Sequence, residues 1–210
     1  MENEKYLNDI SEIKNMMHQS SQFLSLSGLS GILAGIYALI GAYLANLIIK
    51  QNNQTDSDNI RNMYSPTIEE ITLQLLIIAF LVIILSIITG VILSSSKAKK
   101  QGDKLWNITT KKLLMNFGIP LVSGGIFALI LLQKEYFELI APITLIFYGL
   151  GCISASKNTF RDVRYLGITL LLLGLLSTWF LGYGLLFWAL GFGVCHILYG
   201  SVMYFKYDRN

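Results

Sequence analysis

The chain has 210 residues, of which 53% are hydrophobic and 14% charged, with a formal net charge of +3 and a mean hydropathy of +0.55. This balance excludes an ordinary soluble domain and indicates a membrane protein. The two cysteines exclude a disulfide framework and a zinc-binding Cys-x-x-Cys pair.

The first element in chain order is a polar N-terminal segment, residues 1–23. It has mixed charge and lacks the basic start and apolar core of a cleavable signal peptide. Tyr6, Ile10, Ile13 and Met17 recur at helical spacing. This pattern predicts a cytoplasmic amphipathic helix that packs on protein rather than on lipid.

Hydrophobic runs without charges then predict six membrane-spanning helices, because an ionised side chain at the bilayer centre costs roughly 2.5 to 3.5 kcal/mol. About 20 residues cross the hydrocarbon. The run from Tyr165 to Phe205 is therefore long enough for two crossings, with a predicted turn at Gly182-Tyr183-Gly184. The sequence predicts an all-α six-helix bundle at 24–206, with spans 24–49, 71–96, 113–133, 137–156, 163–181 and 185–205 and a cytoplasmic tail at 207–210.

The distribution of Lys and Arg predicts the orientation of these spans. If both termini are cytoplasmic, only Lys50, Arg61 and Lys134 among the 16 basic residues lie outside. The positive-inside rule therefore predicts an N-in/C-in topology.

Small residues predict how the helices pack, because the hydrophobic effect gives little drive for helix association in lipid. The second span is rich in Leu and Ile nearly all round and is predicted to be the most lipid-exposed. Small residues on one face of the first span are Ser27, Gly31, Ala34, Gly35, Ala38 and Ala42, and glycines recur seven residues apart at Gly118/Gly125, Gly167/Gly174, Gly184/Gly191 and Gly193/Gly200.

His196 is the only Lys, Arg, Asp, Glu or His within the hydrophobic runs. Ten residues separate it from Lys206, about 15 Å along a helix, which predicts a position near the midplane. Such a group is a candidate proton or ligand site, and a packing histidine bonded to a hydroxyl is the alternative. The hydroxyls predicted at comparable depth belong to Tyr37, Ser86, Ser123, Tyr148 and Ser177.

The third span contains the stretch NFGIPLVSGGIF. Pro120 lacks a backbone donor and crowds the carbonyl of Asn116, so a kink or local unwinding is predicted. Asn116, Pro120 and Ser123 could line a ligand cavity with His196, Tyr37 and Tyr148, and a purely structural kink is the alternative.

The segment SSSKAKKQGDKLWNITTKK carries six lysines and one aspartate. It predicts contact with anionic lipids at the inner leaflet or with a partner, and Trp106 would be an interfacial anchor. Direct nucleic-acid binding is not expected, because no accompanying domain presents the charge. The residues assigned to this contact are Lys97, Lys99, Lys100, Lys104, Trp106, Lys111, Lys112, Arg161 and Arg164.

No nucleophile–base pair, paired carboxylates, HExxH or phosphate-binding glycine motif occurs in the sequence. We therefore expect no catalytic residues, no metal site and no cofactor. The chain is predicted not to be an enzyme.

Three stretches, SSQFLSLSGLSGILAGIYALIGAYLA, LIFYGLGCISASKNTFRDVRYLG and WFLGYGLLFWALGFGVCHILYG, resemble an uncharacterised family of small bacterial six-helix membrane proteins. Genes of that family often neighbour one for a small winged-helix regulator. The resemblance implies a bacterial cytoplasmic (inner) membrane location and a sensor or signalling role, without implying any site residue.

The leading hypothesis from the sequence is a non-enzymatic sensor, regulatory or accessory membrane protein that contacts a cytosolic regulatory protein. The alternative is a small-solute transporter or channel that uses the third-span kink and His196. A homo-oligomer is left open by the sequence.

Overall fold

A computed structural model describes Tyr6 and residues 25–57, 67–101 and 106–209. Apart from Tyr6, the predicted N-terminal segment lies outside the described residues, as does Lys104. The described part is helical, with no strand among its residues, which confirms the predicted all-α class.

Six helices in the described part are long and apolar enough to cross a membrane, as predicted. The first five are α1 (Gly28–Ser57), α2 (Ile68–Gln101), α3 (Ile108–Gln133), α4 (Ile140–Ala155) and α5 (Asp162–Trp179). The sixth span, Gly184–Asp208, consists of α6 (Gly184–Trp188), a π-helical segment (Ala189–Cys195), α7 (His196–Met203) and a second π-helical segment (Tyr204–Asp208).

The turn between α5 and the sixth span lies at residues 180–183. The amide of Phe180 donates to the carbonyl of Leu176, and that of Tyr183 donates to the carbonyl of Phe180. Gly182 has a φ of +89°, a left-handed conformation that glycine adopts without steric cost. The chain therefore reverses where the Gly182-Tyr183-Gly184 pattern predicts, with Gly184 already in α6.

Two helices begin with caps from adjacent residues. At the start of α2, Thr67 and Glu70 form a reciprocal capping box, with N···O distances of 3.0 and 3.3 Å. At the start of α3, the Asn107 side chain accepts from the amide of Thr110 at 2.8 Å. Both caps satisfy backbone donors that a helix start leaves without an intrahelical partner.

The helices are ordered so that consecutive α2 and α3 lie on different sides of the bundle. Among the described residues, α1 packs between α2 and the sixth span, and α4 packs between α3 and α5. The α4–α5 pair contacts the sixth span in turn. None of the 18-residue apolar window of α2 is buried within the bundle, the lowest share among the six spans, in agreement with the predicted exposure of this span.

Glycines permit close contacts between helices of the bundle. A Cβ added at Gly200 would lie 2.7 Å from the Gly28 carbonyl oxygen, and one added at Gly167 would lie 2.7 Å from the Gly149 carbonyl oxygen. The packing prediction is wrong for Gly118 and Gly125, because an added Cβ there would meet nothing within 4 Å. Both glycines lie on α3, whose helical contacts among the described residues are with the α4 side of the bundle.

Contacts between helix ends define an Asp208 end of the bundle, formed by residues 25–28, 95–101, 106–112, 155–164 and 204–209. The turn at residues 180–183 lies at the opposite end. His196 lies at the centre of the sixth span, between these two ends.

Candidate functional site

The midplane cluster is built around His196, whose residue surface is 6% exposed. Its Nδ1 lies 3.0 Å from the carbonyl oxygen of Gly191. A carbonyl only accepts, so Nδ1 carries the proton and donates. The other nitrogen, Nε2, lies 3.1 Å from the Tyr148 hydroxyl and accepts from it. Both ring nitrogens of the neutral imidazole therefore have hydrogen-bond partners within the chain.

The local backbone explains why the imidazole reaches Gly191. The ring folds back toward the start of the span, and Gly191 belongs to the wide π-helical segment that immediately precedes α7. An added Cβ at Gly191 would collide with Leu145 of α4 and lie 3.0 Å from Cδ2 of Leu170 on α5. Glycine at this position therefore lets the sixth span approach α4 and α5 closely enough for His196 to meet Tyr148.

Aromatic rings surround this hydrogen-bonded pair. The Tyr148 ring has its centroid 5.4 Å from that of Phe117, 5.0 Å from that of Phe192 and 5.3 Å from that of His196. The Phe117 and Phe192 contacts are edge-to-face, which suits the charge distribution of aromatic rings. Packing of this kind orients the Tyr148 hydroxyl toward the imidazole.

A second polar cluster, the Asp208 cluster, lies at the Asp208 end. Its centre is the carboxylate of Asp208, which accepts from the Lys97 ammonium at 2.6 Å and from the Gly28 amide at 2.8 Å. The Ser27 hydroxyl donates to the same carboxylate at 3.2 Å, and Lys97 also donates to the carbonyl of Leu26 at 3.0 Å. The Lys97 and Asp208 side chains are only 14% and 10% exposed.

The start of α5 extends this cluster. The Asp162 carboxylate accepts from the Lys206 ammonium and from the Tyr207 hydroxyl, each at 2.9 Å. The Tyr207 ring stacks on Phe160 with centroids 4.1 Å apart, and the Lys97 ammonium lies 5.4 Å from the Phe160 centroid, within the range of a cation–π contact. One network therefore connects the starts of α1 and α5 with the end of α2 and the segment Tyr204–Asp208.

Of the six ligand or proton candidates, the structure brings His196 and Tyr148 together and gives the others different contacts. Tyr37 bonds Thr89 of α2 at 3.3 Å, and Asn116 donates to the side chain of Asn158 at 2.7 Å. Ser123 is exposed and donates to the carbonyl of Ile119 at 2.9 Å.

α3 continues as one helix through Pro120, so of the two predicted outcomes, a kink or local unwinding, the unwinding does not occur. The Ser123 hydroxyl accordingly bonds an ordinary carbonyl one turn earlier, that of Ile119, instead of a group in an unwound segment. The hydrogen bonds of Asn116 and Ser123 are therefore made away from His196.

The basic residues assigned to lipid or partner contact fall into two groups. Lys97 is directed into the bundle and held by Asp208. The exposed residues of the set, all at or near the Asp208 end, are Lys99, Lys100, Trp106, Lys111, Lys112, Arg161 and Arg164.

Sequence reasoning missed the residues that complete both clusters. The Gly191 carbonyl carries no signal in the amino-acid pattern, because it is a backbone group positioned by a π turn. Asp208 and Asp162 are ordinary charges beside hydrophobic runs in the sequence. The contact between Asp208 and Gly28 joins positions 180 residues apart, which no local periodicity reports.

No metal-binding group among the described residues and no matching protein assigns a function to the residues of these two clusters. Among the residues that the structure describes, no group of three or more His, Cys, Asp or Glu could hold a metal ion. No protein-family model, curated protein or solved structure matches this chain.

Proposed function

We propose that this chain is a non-enzymatic sensor or regulatory protein of the bacterial cytoplasmic membrane that contacts a cytosolic partner through its Asp208 end. The observation that carries the proposal is the placement of charge. Exposed lysines and arginines collect at the end where the N-terminal segment joins α1 and where the Asp208 cluster ties four parts of the chain together.

The proposal requires the Asp208 end to face the cytoplasm. The positive-inside rule supports this orientation, because Lys99, Lys100, Lys111 and Lys112 flank one short connection. The test is labelling of single cysteines with a membrane-impermeant maleimide, in a variant without Cys152 and Cys195. We expect Lys112→Cys to react only after the membrane is opened, and Lys134→Cys, the matched lysine at the opposite end, to react in intact spheroplasts. The reverse pattern would overturn the orientation.

The partner contact has a separate test. The resemblance to the bacterial six-helix family suggests a small winged-helix regulator as the cytosolic protein. We expect pull-downs from gently solubilised membranes to recover such a partner with the full chain and to lose it when residues 2–20 are deleted. A control replaces exposed Lys134 at the opposite end by Gln and should retain the partner. Recovery of no cytosolic protein by the full chain would contradict the proposal.

Anionic lipids are the second proposed contact of the exposed basic residues. Lysines near a negative membrane surface each contribute about 1 kcal/mol of attraction. In nanodiscs, the Lys111→Gln/Lys112→Gln variant should lose the extra thermal stability that anionic lipid gives the unmodified chain. Zwitterionic nanodiscs provide the control, where the two proteins should unfold alike. Equal stabilisation of both by anionic lipid would exclude these lysines from the contact.

The transporter or channel hypothesis has less support, because His196 has intramolecular partners on both nitrogens and Ser123 is exposed. Its decisive test is solute flux in proteoliposomes. Flux that falls in both the His196→Ala and Pro120→Ala variants would favour this alternative over a regulatory role, whereas unchanged flux would eliminate the proposed mechanism.

A further inference from the structure

The start of α1 is capped from far along the chain. Negative groups stabilise a helix start because the first amides have no intrahelical acceptor and the helix dipole is positive there. In α2 and α3 the capping side chains come from adjacent residues. In α1 the acceptor for the Gly28 amide is the carboxylate of Asp208.

Three different donors converge on this carboxylate. The Gly28 amide and the Ser27 hydroxyl both reach Oδ2, and the Lys97 ammonium reaches Oδ1. Lys97 belongs to α2, so the carboxylate also joins the end of α2 to the start of α1. A backbone amide, a hydroxyl and an ammonium on one carboxylate form a complete anion-binding site whose ligand comes from the same chain.

The segment that carries Asp208 is held at two points. Asp208 attaches it to α1 and α2, and the neighbouring Tyr207 and Lys206 attach it to Asp162 of α5. The Lys206 side chain is 53% exposed, so this attachment to Asp162 is open on one side. When such contacts open at a membrane surface, the freed charges can be hydrated, which is not possible for groups in the hydrocarbon centre.

We propose that Ser27, Gly28 and Lys97 form a carboxylate-binding site for Asp208, and that this site is a latch whose opening releases the start of α1 at Ser25–Gly28. The segment before α1 enters the bundle at Ser25–Ser27, directly beside the site. Opening therefore changes the anchoring of the proposed partner-binding segment. The regulatory meaning of the latch rests on the proposed function, whereas the latch contact itself is a property of the isolated chain.

Amide hydrogen exchange of the purified full chain in nanodiscs tests the latch. In the unmodified chain, the Gly28 amide should exchange faster than the Leu170 amide in α5, because a latch opens more often than the core. Asp208→Ala should accelerate exchange at Gly28 by roughly 10- to 100-fold, as expected for loss of a charge-assisted hydrogen bond. Exchange at Leu170 should stay within about 2-fold of the unmodified chain.

The matched control is Lys206→Met, which breaks the exposed ion pair of the same segment and should change Gly28 exchange by less than about 3-fold. The latch is overturned if Asp208→Ala leaves Gly28 exchange unchanged, or if exchange rises equally at Gly28 and Leu170. Equal acceleration would make Asp208 part of the cooperative core. Failure to find a cytosolic partner would not alter these rates, so the two proposals can fail separately.

Discussion

The midplane cluster and the Asp208 cluster differ in the interactions that stabilise their polar groups. At the midplane, His196 and Tyr148 use neutral hydrogen bonds and are enclosed by aromatic rings. At the Asp208 end, formal charges join distant parts of the chain at the ends of the spans. The midplane cluster therefore joins helices through neutral groups, whereas the proposed latch at Asp208 depends on charges that water can hydrate when their contacts open.

The largest effect should follow from changing the glycine that supports the Asp208 cluster. An added Cβ at Gly28 would collide with the backbone nitrogen of Tyr204 and lie 2.6 Å from the Gly200 carbonyl oxygen. Backbone atoms cannot rotate away, so Gly28→Ala should reduce the free energy of unfolding by about 3 kcal/mol, measured by reversible SDS titration.

The same glycine-to-alanine change has a control and a midplane counterpart. Gly118→Ala meets no atom within 4 Å and should be neutral or slightly stabilising. Gly191→Ala should cost less than Gly28→Ala, because it meets the ends of the Leu145 and Leu170 side chains, which can move. A Gly191→Ala loss larger than that of Gly28→Ala would mean that the Leu145 and Leu170 side chains cannot move aside.

The next largest effect should come from Lys97→Met, which leaves the Asp208 carboxylate without its ammonium partner. Because both side chains are largely buried, we expect a loss of about 2 kcal/mol in the same titration. Lys206→Met removes a lysine from the exposed pair with Asp162 and should leave the unfolding midpoint unchanged. Similar midpoints for the two variants would contradict the special position of Lys97.

A smaller effect is expected at the midplane for Tyr148→Phe. This change removes the donor to His196 Nε2 and should cost about 1 to 2 kcal/mol, because a buried acceptor loses its partner. Tyr37→Phe makes the same chemical change at the α1–α2 contact, where the hydroxyl bonds Thr89 at 3.3 Å, and should cost only about 0.5 kcal/mol. If the order of the two losses is reversed, Tyr148 is not the main partner of His196.

The last prediction concerns the tautomer of His196 and needs no substitution, because it is read from a spectrum of the unmodified chain. The contacts of His196 require the tautomer that carries its proton on Nδ1. Nitrogen-15 NMR of selectively labelled protein should therefore show a protonated Nδ1 and an unprotonated, hydrogen-bonded Nε2. A spectrum of the Nε2-protonated tautomer would exclude the Gly191 contact.

Much of the fold follows from the sequence because a segment that crosses the hydrocarbon must be long enough and free of charged side chains. Charge-free length predicts the six spans, and the uniformly Leu/Ile-rich surface of α2 predicts its exposure. Glycine spacing was less reliable, since Gly167 and Gly174 pack closely on α4 while the equally spaced Gly118 and Gly125 do not. The spacing of glycines identifies a helix face made of small residues, but it does not show whether another helix packs against that face.

The candidate site was predictable only in part for a related reason. Depth counting placed Tyr148 among five hydroxyls that could meet His196, and the three-dimensional arrangement selects it because α4 packs beside the sixth span. The sequence placed Asp208 in a predicted cytoplasmic tail at 207–210. Its pairing with Lys97 depends on where α1, α2 and the sixth span meet, which is a property of the assembled bundle.

The position of α1 also has a consequence for the order of assembly. Gly28, Gly31 and Gly35 of α1 face Gly193 and Gly200 of the sixth span, which the ribosome produces after the other five described spans. During synthesis, α4 and α5 can pair as soon as their connecting turn emerges, because they are neighbours in both sequence and space. The α1–α2 pair must remain in the bilayer with an unmatched glycine face until the sixth span arrives. Although α1 precedes the other five described spans in the sequence, it is thus among the last to reach its final packing.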